Sequence, residues 1–176
     1  MEILTLIQEK ELKARVKELG LEISNDYKDK ELLLVCILKG SIIFTADLSR
    51  YLNIATTEFE FIEVTSYGDS TTSSNHVKIL KDVTTSLLNK HILVVEDILD
   101  TGHTLSFIIK HLQNKKPASI KICTLLNKPE RRQIDNINVD YCGFVVPNKF
   151  VVGYGLDIAQ KYRNLNYIGY IESGGE

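Results

Sequence analysis

At 176 residues, 44% hydrophobic and 25% charged, the chain has the composition of one water-soluble globular domain. With 21 Lys and Arg against 23 Asp and Glu it has no basic surplus, which excludes nucleic-acid or acidic-membrane binding through an overall positive field. An anionic ligand must therefore be held locally, by backbone amides, single cations or a metal.

The longest apolar run, Leu32 to Leu38, is too short to cross a bilayer, and no basic-then-apolar leader opens the chain. Cys36 and Cys123 sit inside apolar runs and the three cysteines form no CxxC pair, so buried free thiols and a reducing, cytoplasmic setting are expected.

Thr5-Leu6-Ile7-Gln8 has the spacing of a capping box, Leu12, Val16 and Leu19 follow on one helical face, and Gly20 suits a C-cap. This predicts an amphipathic helix with one face on the body. Leu32 to Leu38 predicts a central strand covered on both sides. It ends in Lys39-Gly40-Ser41, and a helix is expected from Ile42 to Leu52. Phe59, Phe61, Glu63 and Val64 mark another strand. The stretch Ser66 to His76 is polar and rich in hydroxyls, with too little apolar surface to order itself. Such a loop is either a functional lid or plain surface. Val77, Ile79 and Leu80 resume a strand pattern.

An apolar run then enters from Ile92 and is ended by the adjacent carboxylates Glu96 and Asp97. Asp100 follows, then Thr101-Gly102-His103-Thr104, and from Leu105 the pattern is helical through Ile108, Ile109 and Leu112. The carboxyl end of a strand beside the amino end of a helix is where open α/β folds bind phosphorylated ligands. Further strands are expected at Ser119 to Leu126, Tyr141 to Val146 and Tyr167 to Ile171. Alternating strands and helices predict a mainly parallel sheet. Lys39-Gly40, the three acids, Lys128 and Asp157 all fall at strand C-terminal ends, where they can face one crevice.

Thr101 to Thr104 offers successive amides, two hydroxyls and a glycine at a helix start, a cradle for a phosphate monoester. The chain lacks both GxxxxGK[ST] and GxGxxG, so a Walker loop and a Rossmann dinucleotide site are poor candidates. Glu96-Asp97 reads either as a solvated or ion-paired couple, or as acceptors for sugar hydroxyls near a hard cation such as Mg²⁺. Zinc is disfavoured, because His76, His91, His103 and His111 show no ligand spacing. On the helical wheel His103, His111 and Phe107 fall away from the apolar stripe. Surface exposure is expected for the histidines and a protein contact for Phe107. Asp100 has two readings, general acid/base and structural N-cap.

Together these segments resemble the type I phosphoribosyltransferases, and within them the enzymes that salvage hypoxanthine and guanine. Glu96 to Thr104 is similar to that family's phosphoribosyl pyrophosphate (PRPP) motif. Leu38-Lys39-Gly40 resembles its pyrophosphate loop, where the peptide before the lysine is cis. Ser66-Tyr67-Gly68 resembles the start of the mobile catalytic loop. Lys128 falls where the 6-oxopurine enzymes place the lysine that contacts the exocyclic oxygen. Phe150, Val151, Asp157 and Arg163 match the C-terminal segment that covers the base and binds metal and pyrophosphate.

The resemblance implies one α/β domain over residues 1–176, with a mainly parallel central sheet flanked by helices and a small hood built from the N- and C-terminal segments. It implies transfer of 5-phosphoribosyl from PRPP to N9 of hypoxanthine or guanine, giving IMP or GMP and pyrophosphate, with Mg²⁺, in a cytoplasmic homodimer or homotetramer. Position by position, it assigns Glu96 and Asp97 to the ribose hydroxyls and metal, and Asp100 to the proton at purine N7. Thr101, Gly102, His103 and Thr104 would hold the 5′-phosphate. Lys39, Gly40 and Arg163 would hold pyrophosphate, Asp157 a metal ion, and Ser66 and Tyr67 would open the lid. Phe150 would stack on the purine and Lys128 read its 6-oxo group, while carbonyls of Val151 and Asp157 would accept from a 2-amino group. A lid fits the chemistry, since water would capture an oxocarbenium-like ribose.

The alternatives are a xanthine-preferring enzyme and a PRPP-binding regulator; the latter predicts a basic face and loss of the acid/base residue. Two positions depart from the family pattern. Asn75 stands where bacterial-type loops often carry glycine, and Ile158 replaces a tyrosine common after the metal-binding aspartate. Neither touches a group assigned to catalysis, so they bear on base preference.

Overall fold

The computed structural model describes residues 2–67 and 76–172. The elements run β1 (Ile3–Ile7), α1 (Glu9–Asp26), β2 (Leu32–Leu38), α2 (Ile42–Arg50), β3 (Thr57–Tyr67), β4 (His76–Lys81), β5 (His91–Leu99), α3 (His103–Gln113), β6 (Ser119–Asn127), a 3₁₀ turn (Pro129–Arg131), β7 (Tyr141–Val145), β8 (Phe150–Val152) and β9 (Ile168–Ile171). A six-stranded sheet has the order β4-β3-β2-β5-β6-β7. Its strands pair in parallel except β4, which runs antiparallel to β3 at one edge. A second, antiparallel sheet of order β1-β9-β8 joins the two ends of the chain into a hood.

Successive strand side chains point to opposite faces, so the apolar run of β2 supplies two cores at once. Leu32 and Leu34 pack with Leu12, Val16, Leu19 and Ile23 of α1 and with Phe44 and Leu48 of α2. Leu33, Val35 and Ile37 pack on the other face with Leu105, Ile108 and Leu112 of α3. All three cysteines are free, and Cys36 and Cys123 are buried as expected. No described helix is long and apolar enough to cross a membrane.

Several expectations shift. The first helix starts at Glu9, with Gln8 as N-cap in a reciprocal box with Glu11. Residues Ile3 to Ile7 are instead drawn into β1 by pairing with β9, a long-range partner that local spacing does not reveal. Gly20 does not end α1; the helix continues to Asp26, and Gly20 is where α1 meets α2, since an added Cβ would stand 2.5 Å from Tyr51 Cβ. The carboxylates Glu96 and Asp97 do not end β5, because its ladder with β6 continues to Leu99↔Asn127. His111 is half-buried rather than a plain surface residue: its Nε2 lies 2.9 Å from Asp82 Oδ2, and Lys115 Nζ reaches the same oxygen at 3.0 Å. Phe107 packs against the α3-side core of its own chain.

Candidate active site

The parallel strands β2, β5 and β6 end on the same side of the sheet, and their C-terminal residues form the site. After β2 the Leu38–Lys39 peptide is cis. Behind it, Ser41 Oγ donates to Ile37 O at 2.6 Å and lies 3.2 Å from Cys36 Sγ, tying the loop to its own strand. Lys39 is exposed. Gly40 is pressed between two other segments. A Cβ on Gly40 would overlap the Asp97 carboxylate, and one on Gly155 would overlap the Gly40 carbonyl. The ends of β2, β5 and the segment after β8 thus meet through backbone that no larger residue would permit.

Glu96 is buried, its Oε1 accepting Asp97 N–H at 3.1 Å, while Asp97 Oδ1 accepts Ile98 N–H at 2.7 Å. Burial, followed by the neighbouring Asp97 charge, pushes the Glu96 carboxyl well above the usual range. Burial also raises Asp97, offset in part by its bonds to Glu96 and Ile98 and by the charge of Arg163. Arg163 is itself engaged, its Nη2 lying 2.7 Å from Asp157 Oδ1 and its Nη1 donating to Gly155 O at 2.7 Å. Asp157 Oδ2 also accepts Gln160 N–H at 2.7 Å. Among the described residues no three acidic, histidine or cysteine side chains come together as a ready-made metal cage. Glu96 and the partly buried Asp97 could supply oxygen donors of the kind Mg²⁺ takes, and a cation there would relieve the charge that burial opposes.

The turn after β5 leads into α3 through Gly102, which has φ 93° and serves as N-cap. That left-handed conformation suits glycine, and a side chain would also meet Ile137 Cδ1 at 2.8 Å. The eleven-residue α3 therefore presents free amides and the positive end of its dipole over this turn. Glu96, Asp100, Thr101, Gly102 and Thr104 line one cavity of about 80 Å³. Larger clefts of about 360 and 540 Å³ lie beside Ile109 and Ile137 and beside Tyr27 and Ile54, away from these loop ends.

The N-cap reading of Asp100 is not realised. Its carboxylate accepts Arg131 Nε–H at 3.1 Å. Arg132 Nε donates to Asp100 O at 3.2 Å and its Nη2 to Asn127 Oδ1 at 2.6 Å, while Gln133 N–H donates to Thr101 O at 3.0 Å. His103 Nε2 lies 2.9 Å from Gln133 Oε1. The segment after β6 thus buttresses the whole turn.

On the other flank, Lys128 is buried and its N–H donates to Leu99 O at 2.9 Å, which joins it to the strand carrying the acids. Its Nζ donates to Lys149 O at 2.6 Å, and burial pushes its ammonium down from the ordinary lysine range. Phe150 opens β8 with its ring exposed, and Val151 is buried. Tyr154 Oη donates to Asp47 Oδ2 at 2.7 Å, fastening the segment before Asp157 to α2. The backbones of Ser66 and Tyr67 end β3. The side chains of these two residues and the rest of the expected lid, residues 68–75, lie outside the described residues.

The model of the phosphoribosyl transferase domain family matches residues 4–159. The chain belongs to the phosphoribosyltransferase family. Among its relatives, the hypoxanthine-guanine phosphoribosyltransferase of Bacillus subtilis is 48% identical over 95% of this chain and 92% of its own length. The hypoxanthine phosphoribosyltransferase of Buchnera aphidicola is 47% identical over 96% of each. A crystal structure of a hypoxanthine-guanine phosphoribosyltransferase from Bacillus anthracis superposes with a TM-score of 0.91 at 45% identity, covering 97% of this chain and 99% of the other. One of a hypoxanthine phosphoribosyltransferase from Staphylococcus aureus gives 0.91 at 44% identity, covering 96% and 90%.

In this phosphoribosyltransferase chain, sequence reasoning left Arg131, Arg132, Lys149 and Tyr154 without roles. The Arg131-Arg132 pair was visible beyond Lys128-Pro129, but its targets are some thirty residues away, at Asp100. Nothing local marked Lys149, whose backbone carbonyl makes its contact.

Proposed function

We infer that this chain is a purine-salvage glycosyltransferase that moves the 5-phosphoribosyl group of PRPP to N9 of hypoxanthine or guanine, releasing IMP or GMP and pyrophosphate. The observation that carries this reading is the approach of four segments at the C-terminal ends of the parallel strands. The carboxylate couple lies near the C-terminal end of β5, the phosphate cradle follows that strand and a buried lysine follows β6, while Gly40 brings the loop after β2 against Asp97 and Gly155 brings the segment after β8 against Gly40.

In this reading the amides and hydroxyls of Thr101 to Thr104 hold the 5′-phosphate, and Glu96 and Asp97 accept from the ribose hydroxyls. Lys39, the Gly40 amide and Arg163 hold the pyrophosphate. Phe150 presents an exposed face on which the purine stacks. Lys128 donates to the 6-oxo oxygen, an interaction strengthened by its partial desolvation. The Val151 and Asp157 carbonyls accept from a 2-amino group when guanine is bound. Asp100 takes the N7 proton as N9 bonds to the ribose C1, and Arg131 keeps its carboxylate oriented. Ser66 and Tyr67 begin the lid that excludes water.

Mg²⁺ is the fitting cofactor: Glu96, Asp97 and Asp157 would hold it through their carboxylate oxygens, and its charge would offset that of the leaving pyrophosphate. The three free cysteines agree with a cytoplasmic enzyme. The resemblance further implies a homodimer or homotetramer, which sedimentation equilibrium would distinguish from a monomer. Turnover with hypoxanthine, guanine and xanthine side by side tests the function. IMP and GMP formation is expected; nucleotide formed faster from xanthine would favour the xanthine-preferring alternative, and none formed from any base would end the enzyme reading.

A further inference from the structure

Lys128 has one acceptor among the described residues, the carbonyl of Lys149, at 2.6 Å. Where that carbonyl stands therefore decides where the buried ammonium points its remaining N–H bonds. Three contacts hold it. The Lys149 N–H donates to Pro147 O at 2.7 Å and closes the turn. Phe150, the next residue, is in register with Ile171 of β9. The Lys149 ammonium lies 3.5 Å from the centroid of the Tyr170 ring, a close cation–π contact. Tyr170 is itself fixed, paired with Leu4 on one side and Val151 on the other and packed against the main core.

We propose that Tyr170 and the Lys149 side chain are positioning residues for base recognition: their contact sets the carbonyl that aims Lys128 at the 6-oxo group. The proposal rests on the reading of Lys128 as the base-reading lysine. Neither side chain needs to touch the purine. The cation–π contact restrains a turn whose backbone oxygen is the functional atom, so its loss should blur 6-oxo selection while leaving the PRPP side intact.

The test compares Tyr170→Leu, Tyr170→Phe and Lys149→Met, with Lys128→Ala as control, in steady-state kinetics with hypoxanthine and PRPP each varied and with adenine as the 6-amino competitor. Tyr170→Leu and Lys149→Met should each raise the hypoxanthine KM roughly 3- to 30-fold, the range that loss of one cation–π contact allows. Both should narrow the preference for hypoxanthine over adenine, with the PRPP KM unchanged, and Tyr170→Phe should restore wild-type values because it keeps the ring. Lys149→Met leaves the hood strands untouched, so it decides the matter should Tyr170→Leu fail to fold. An unchanged hypoxanthine KM in Lys149→Met, or equal rises for base and PRPP, overturns the proposal. An unchanged hypoxanthine KM in Lys128→Ala overturns the assignment beneath it.

Discussion

Gly40 and Asp97 are packed so closely that no methyl group fits between the Gly40 backbone and the Asp97 carboxylate. Gly40→Ala should therefore displace Asp97 rather than strain the loop alone. Misplacing a ligand-binding group by an ångström costs about 10²-fold in rate, and a drop of that order in kcat/KM for PRPP is expected. Circular dichroism and Tm should show the fold retained. A variant with wild-type kcat/KM would mean that Asp97 can move without consequence.

Asp100 does not cap α3, and its carboxylate accepts from Arg131 instead. Asp100→Asn should lower kcat by roughly 10²–10⁴, the usual contribution of a general acid/base. Single-turnover kinetics should show the loss in the chemical step. A normal chemical step in this variant would remove Asp100 from that role.

Among the described residues, Lys128 Nζ hydrogen-bonds only to Lys149 O. Lys128→Ala should raise the KM for hypoxanthine and guanine by roughly tenfold or more, as expected for losing a charge-assisted hydrogen bond. The PRPP KM should stay nearly unchanged. Equal losses for both substrates would contradict the assignment.

Glu96 is buried and Asp97 partly so, and burial raises both carboxyls. Removal of divalent cations with EDTA should abolish turnover, and Mg²⁺ should restore it. Tm should change little, because the fold rests on the two apolar cores. Full turnover in metal-free buffer would exclude the cofactor assignment.

Glu60 supports the fold rather than the chemistry. Burial disfavours its charge, but donors from Thr85 and Thr84 to Oε1, at 2.6 to 3.1 Å, outweigh it and hold the carboxyl down at about 2. A depressed carboxylate stabilises the folded state above its unfolded pKa of about 4.3, and that contribution is lost as pH falls toward the folded value. Glu60→Gln should cost about 1–3 kcal/mol at pH 7. Urea unfolding should show the gap from wild type closing between about pH 5 and about pH 2. A gap independent of pH would show that ionised Glu60 is not what stabilises this turn.

What the sequence by itself determined was the parallel α/β body. The run of β2 is continuous and apolar and much of β5 and β6 is apolar too, because these strands are covered on both faces, and the sequence pattern records that directly. The turn from β5 into α3 was equally legible, since strand, turn and helix start are adjacent in the chain. Motif resemblance supplied the roles proposed for Asp100 and Lys128, which local chemistry had left open or unassigned.

The tertiary structure decided what depends on distant partners. Ile3 to Ile7 became a strand because β9 was there to pair with it, although its spacing also suited a helix cap. His111 became a hydrogen-bond partner because Asp82 reaches α3 from the end of β4. Arg131 meets Asp100, and Lys149 holds Lys128, across 31 and 21 residues of chain. Side-chain periodicity reports only what an element buries, whereas a hydrogen bond from one loop's backbone to another loop's side chain leaves no period to read. The acids and the lysine could be found in the sequence; the groups that hydrogen-bond to them could be found only once the chain had folded.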